Sequence, residues 1–130
     1  MNYREYMEML KETPYPETLE FGPAILWPHL ETAPLGVTSI GGDHPAVVRI
    51  PARVTNPYGL QVPVIAIRSD VFAGRDRITD IVLPPTVGGI PVGAFAGCTG
   101  LRRITIPRAV RLIREGTFAG CDLLEDVYYS

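Results

Sequence analysis

Two cysteines, two histidines and a cluster of five arginines carry most of the reactive chemistry in this sequence. Cys98 and Cys121 occupy the same phase of a sequence repeat described below, one step apart. Two thiols could close a disulfide or hold a metal. If the residues stack, their Cα atoms sit about 5 Å apart, inside the disulfide window. Stacked Cβ bonds run parallel rather than towards each other, so buried free thiols are expected instead. Zinc is disfavoured because neither cysteine has a C-x-x-C partner or a nearby histidine. His29 and His44 lie apart in proline-rich segments with no nucleophile motif beside them. They read as structural or surface histidines. Gly41-Gly42 and Gly88-Gly89 lack the lysine that follows a phosphate-cradling loop and read as loop punctuation. Arg102, Arg103, Arg108, Arg111 and Arg114 occur with no acid among them, which read linearly makes a polyanion site. No catalytic residue, cofactor-binding residue or metal ligand is assigned, and no cofactor is expected.

The elements that position these side chains follow from the repeat. Phe72, Phe95 and Phe118 recur at one constant interval, and Ile67, Ile90 and Ile113 recur at the same interval. Val64, Val87 and Val110 keep that step, and so do Ile81, Ile104 and Val127. Leu83, Ile106 and Tyr129 share a phase, as do Ile78, Leu101 and Leu124, and Gly74, Gly97 and Gly120. The unit is F-A-G-C-x-x-L-x-x-I-x-I-P-x-x-V-x-x-I-x-x-x-x. One unit cannot bury its apolar side chains alone, but stacked units can. L-x-x-I-x-I-P alternates at its end and reads as a short strand. Ile81, Leu83, Ile104 and Ile106 then point inward, with Asp80, Val82, Arg103 and Thr105 outward. The proline that follows ends the ladder. V-x-x-I reads as a second extended stretch or a turn, and F-A-G-C as a tight corner with its Phe in the core.

Stacking also changes the reading of the arginines. Arg103 falls between Asp80 and Asp126, and Arg102 beside Glu125, so these ladders are expected to be charge-compensated. Exposed pairs of this kind contribute about 0–1 kcal/mol each. Arg108, Arg111 and Arg114 keep no expected partner, and no clearly placed aromatics accompany them to stack bases. Nucleic-acid binding is therefore disfavoured.

The unit resembles the BspA-like class of bacterial leucine-rich repeats, in Ala94-Phe95-Ala96-Gly97-Cys98 through Leu101, Ile104, Ile106 and Pro107, and again in Thr117-Phe118-Ala119-Gly120-Cys121. The match covers roughly residues 60–130. Arg75 stands where that family has Cys, so the first repeat is atypical and expected to border a cap. Pro91 and Arg114 stand where the family often has Gly, leaving the turn geometry there open. The resemblance implies a leucine-rich-repeat solenoid, a right-handed, β-rich superhelix of about three coils. It also implies an interaction or cell-surface module without catalytic residues.

The 130 residues suggest one compact domain. A net charge of −2 excludes a broadly cationic surface. No apolar run approaches the ~18 residues of a membrane span. Tyr3, Tyr6, Met7 and Leu10 form one face of an amphipathic helix over residues 2–12, with Asn2 as N-cap and Thr13-Pro14 as stop. Nine of the 13 prolines fall between Pro14 and Pro63, favouring short strands and turns. Ala46 to Ile50 is the best strand there, and Asn56-Pro57-Tyr58-Gly59 a turn into an incomplete first coil from Val62 to Ile67. Residues 1–45 are read as helix and irregular cap, against the alternative of a partly disordered leader, and 46–130 as the solenoid. Residues 1–45 hold seven acids and two bases, and residues 46–130 seven acids and ten bases. Such asymmetry could aid docking, but simple solvated surface is preferred.

The function expected is a non-catalytic protein-interaction module, not an enzyme. Its binding surface is the outward strand face: Asp80, Val82, Arg103, Thr105, Asp126 and Tyr128. The alternative is a structural or assembly subunit. The sequence stops within its third strand, at Val127-Tyr128-Tyr129-Ser130, and an open edge there could pair with a second copy as a homodimer. The other expectation for this end is that the amino-terminal helix folds over it. Met1-Asn2-Tyr3-Arg4-Glu5 has no apolar signal core, so the sequence as it stands reads as cytoplasmic, or as surface-exposed or secreted if a signal peptide was removed.

Overall fold

The computed structural model describes residues 1–24 and 31–129, so the expectation for His29 lies outside the described residues. Among the described residues one helix, α1 (Tyr3–Met9), is followed by β1 (Leu19–Pro23), β2 (Leu35–Ile40), β3 (Val47–Arg49) and β4 (Arg53–Thr55). Then come β5 (Gln61–Ile67), β6 (Asp80–Val82), β7 (Arg103–Ile106) and β8 (Asp126–Tyr129). They form two four-stranded sheets, ordered β1-β2-β5-β4 and β3-β6-β7-β8.

The second sheet is wholly parallel and carries the repeat. Val48, Ile81, Ile104 and Val127 lie side by side across it, as do Arg49, Val82, Thr105 and Tyr128. A forked hydrogen bond sets each register. The Ala46 carbonyl accepts from the Thr79 and Asp80 amides at 2.8 and 3.2 Å. The Thr79 carbonyl accepts from Arg102 and Arg103 at 2.7 and 3.1 Å, and the Arg102 carbonyl from Glu125 and Asp126 at 2.8 and 3.1 Å. At the opposite side of each repeat the F-A-G corners stack through Gly74 N–H on Ala96 carbonyl (2.8 Å) and Gly97 N–H on Ala119 carbonyl (2.7 Å). Gly97 has φ +77°, and a Cβ there would meet the Gly74 Cα at 3.3 Å. Only glycine satisfies both the left-handed turn and the close approach.

Between the sheets lies one apolar core. Phe72, Phe95 and Phe118 form a column with ring centroids 6.0 and 5.8 Å apart. Ile78 and Leu101 are fully buried beside it, with Ile81, Ile104 and Ile106. Cys98 and Cys121 are free thiols that donate to the carbonyls of Phe72 (3.0 Å) and Phe95 (3.1 Å). Each thiol thus reaches back to the preceding repeat. Arg75, at the same phase, instead donates to the carbonyls of Val71 and Ile40, both at 3.2 Å, and so ties its corner to β2.

In two repeats the turn precedes V-x-x-I, closed by Val87 N–H on Pro84 carbonyl (3.2 Å) and Val110 N–H on Pro107 carbonyl (3.0 Å), and V-x-x-I itself is irregular. In the first it is a strand, because β2 gives β5 a parallel partner. The expected turn at Asn56 to Gly59 joins β4 to β5 and makes the step from β3 to β6 longer than the later ones. The helix is shorter than the expected 2–12. Asn2 caps it, its Oδ1 accepting the Glu5 amide at 2.8 Å. It ends in tight turns, with Lys11 N–H on Glu8 carbonyl (3.3 Å) and Thr13 N–H on Leu10 carbonyl (2.8 Å), and Arg49 donates to the carbonyls of Leu10 (3.2 Å) and Thr13 (2.7 Å).

Phe95→Ala should cost about 3–5 kcal/mol, since the site has neighbours above and below that hold the cavity open. Urea unfolding followed by far-UV circular dichroism checks this. Burial, and then the neighbouring Cys121, push the Cys98 thiol up from 9.0 to about 11; burial also raises Cys121. The folded chain holds these protons more tightly than the unfolded chain. The Cys98 contribution is therefore full below pH 9.0 and lost as pH rises through about 11. The urea midpoint should fall between those two pH values.

Candidate functional site

The outward face of the parallel sheet carries two side-chain rows. Asp80, Arg103 and Asp126 make a charged row, with Arg103 Nη1 3.7 Å from Asp80 Oδ2 and Nε 3.6 Å from Asp126 Oδ2. Val82, Thr105 and Tyr128 make the second, neighbouring in register. Parallel pairing without bulges between β6 and β8 is what brings all six together. The expected compensation is present, and Arg102 also meets Glu125 at 3.0 Å.

The face is not the open surface that the repeat predicts. Asp80, Val82, Thr105 and Tyr128 are buried, and Arg103 and Asp126 are half-buried. The cover is α1. Its apolar face has to be buried somewhere, and Val82, Tyr128 and Val47 offer the matching surface. Tyr6 and Leu10 are buried there. Tyr6 stacks on Tyr128 with centroids 4.9 Å apart, and Tyr3 packs on the same ring at 6.5 Å. The Tyr128 hydroxyl donates to the Met1 carbonyl at 3.0 Å. The helix therefore reaches the last strand, but by lying across the sheet face.

Electrostatics pin the helix to the charged row. The Tyr6 hydroxyl donates to Asp80 Oδ2 at 2.6 Å, and the Thr79 hydroxyl donates to Oδ1 at 2.7 Å. Burial, and next the Asp80 carboxylate, push the Tyr6 phenol far above its ordinary value, so it stays a donor. Arg49, from β3, adds its guanidinium 4.7 Å over the Tyr15 ring. Three side-chain atoms on the face, Arg49 Nε, Arg103 Nε and Thr105 Oγ1, are buried without a hydrogen-bond partner, though Arg103 Nε keeps its ion pair with Asp126. A cavity of about 140 Å³ adjoins Arg49 and Thr105, lined also by Tyr3, Met7 and Val82. Tyr6 and Arg49 are the site residues missed from sequence. The outward phase of Arg49 beside Val82 was the available signal, but it needs the register across the hairpin.

Elsewhere the reactive side chains have structural roles. His44 is buried with Nδ1 2.9 Å from the Pro45 carbonyl. Arg108, Arg111 and Arg114 are exposed. Among the described residues no three His, Cys, Asp or Glu side chains converge to hold a metal, and no helix is long and apolar enough to cross a membrane.

The family described as BspA type leucine rich repeat region (6 copies) matches residues 63–130, more than half of the sequence. The chain belongs to this family. As a BspA-type leucine-rich repeat chain it resembles several solved structures. A leucine-rich repeat protein from Bacteroides ovatus is 29% identical, with TM-score 0.69, over 85% of this chain and 28% of that one. The T. pallidum leucine rich repeat protein is 27% identical, with TM-score 0.70, over 89% of this chain and 49% of that one. A leucine rich cell surface protein from Faecalibacterium prausnitzii is 26% identical, with TM-score 0.67, over 92% of this chain and 33% of that one. The chain thus spans between about a quarter and a half of the length of these relatives. No curated protein matches it. Leucine-rich repeats of this family generally mediate protein interactions and are generally non-catalytic. The departures of this BspA-type chain at Pro91 and Arg114 are harmless to the turns. Both carbonyls accept at 3.2 Å, from Ala94 and Thr117, and among the described residues only glycines have positive φ.

Tyr6→Phe should cost about 1–3 kcal/mol, because it strips the buried Asp80 carboxylate of a donor while keeping the ring. Chemical denaturation of the variant and the parent checks this, with Tyr58→Phe, at an exposed position, as the neutral control.

Proposed function

We propose that the chain is a non-catalytic protein-interaction module. In this reading residues 1–45 cap a right-handed solenoid of about three coils in 46–130. The binding surface is the outward strand face of Asp80, Val82, Arg103, Thr105, Asp126 and Tyr128. One observation carries the reading: three parallel strands hold these side chains in two registered rows, with acid, base and acid alternating across the first. Rigid strands fix side chains before an encounter and so lower the ordering cost of binding. Arginine and tyrosine, both present here, are the side chains that most often dominate protein interfaces.

The test is affinity capture from the native cell with the chain as bait and an Arg103→Glu/Tyr128→Ala double variant beside it. Specific partners should drop by about 30-fold or more with the double variant, the loss expected for removal of an interface anchor. An unchanged set of captured proteins, with both baits folded by circular dichroism, would overturn the proposal. Light scattering of the bait alone separates it from self-association through β8, which should give a dimer that grows with concentration.

A further inference from the structure

We infer that α1 is a displaceable occupant of the sheet face, holding the place of a partner's short amphipathic helix. The inference rests on the interaction reading above and supplies its regulation and the chemistry of its partner. With four of the six face residues buried beneath α1, a protein can reach them only if α1 leaves.

Three observations make departure feasible. First, α1 has seven residues. A helix that short does not persist in water by itself, so α1 is folded by the face it lies on. Second, it adds no strand to the sheet and is held by Tyr6 on Asp80, Tyr128 on the Met1 carbonyl, Arg49 on the Leu10 and Thr13 carbonyls, and apolar contacts. Third, the charged row survives its loss, because Asp80 and Asp126 keep Arg103 between them.

The fit also falls short in a way that describes a better occupant. Thr105 Oγ1 stays without a hydrogen-bond partner beneath α1, and the 140 Å³ cavity lies against it. Buried polar atoms without partners lower the stability of the closed state. A segment that repeats the phenol of Tyr6 and the aliphatic chain of Leu10, and adds a carboxylate or amide oxygen to accept from the Thr105 hydroxyl, satisfies what α1 leaves open. The partner is therefore a protein carrying an amphipathic helix with a tyrosine, an aliphatic residue one turn on, and an acidic or amide side chain between them.

Two measurements on the whole chain decide this. In native-state hydrogen exchange the Tyr6 and Leu10 amides, both helix-bonded, should open locally and be at least about tenfold less protected than those of β7. A labelled synthetic peptide of residues 1–13 should bind the Tyr6→Ala chain at least about tenfold more tightly than the parent chain, since the vacated face holds no competitor to displace. Leu10→Ala serves equally if Tyr6→Ala does not fold. A peptide carrying Tyr6→Phe should lose most of that binding. Exchange of α1 in step with β7 would overturn the inference, because α1 would then be part of the core. Equal binding of the peptide to the parent and to an opened chain would overturn it too. If α1 stays closed while the Arg103/Tyr128 variant still loses partners in capture, the partner contacts the half-buried Arg103 and Asp126 beside a closed helix, so the interaction reading stands and this one falls.

Discussion

Everything in this molecule depends on backbone stacking at a fixed step. Three carbonyls, of Ala46, Thr79 and Arg102, each hold two amides of the next repeat. That fork removes any freedom of register, because slipping one residue would break both bonds and turn the apolar side chains outward. Once it is fixed, Phe95 must lie over Phe72 and under Phe118, and the Cys98 thiol must meet a carbonyl of the preceding repeat. The corners obey the same constraint from the other side, where Gly74, Gly97 and Gly120 let backbone touch backbone.

The same register that builds the interior organises the exterior. Asp80, Arg103 and Asp126 are neighbours because Ile81, Ile104 and Val127 are. A charge row on one side of a sheet is thus a by-product of an apolar row on the other. What α1 contributes is a means of shielding that row: a phenol for the carboxylate and an apolar stripe for Val82 and Tyr128. The arrangement joins burial of a charge to burial of a helix.

Much of this could be read in the residues themselves. The phenylalanine spacing, the prolines after the strands, the neutral fate of the two cysteines and the Asp80–Arg103–Asp126 alternation are local facts repeated at one interval. The placement of α1 could not be read in the same way. Tyr6 and Asp80 are separated by 74 positions, and no periodicity links them. The amphipathic stripe announces that the helix needs a surface without saying which one. Likewise β5 has the repeat's phase, yet its sheet is decided by β2 and β4, whose pairings leave no periodic trace.

Arg75 has a wider effect than its single position suggests. Arrays of like units tend to separate where the contact between neighbours is weakest. Here the first corner substitutes a long forked cation for a thiol, and that cation grips the end of β2 as well as its own turn. The junction between the proline-rich segment and the repeats is therefore bolted by a side chain while the later junctions rely on sulfur. The strands before the repeats are thereby joined to the first corner by a contact that no later corner repeats.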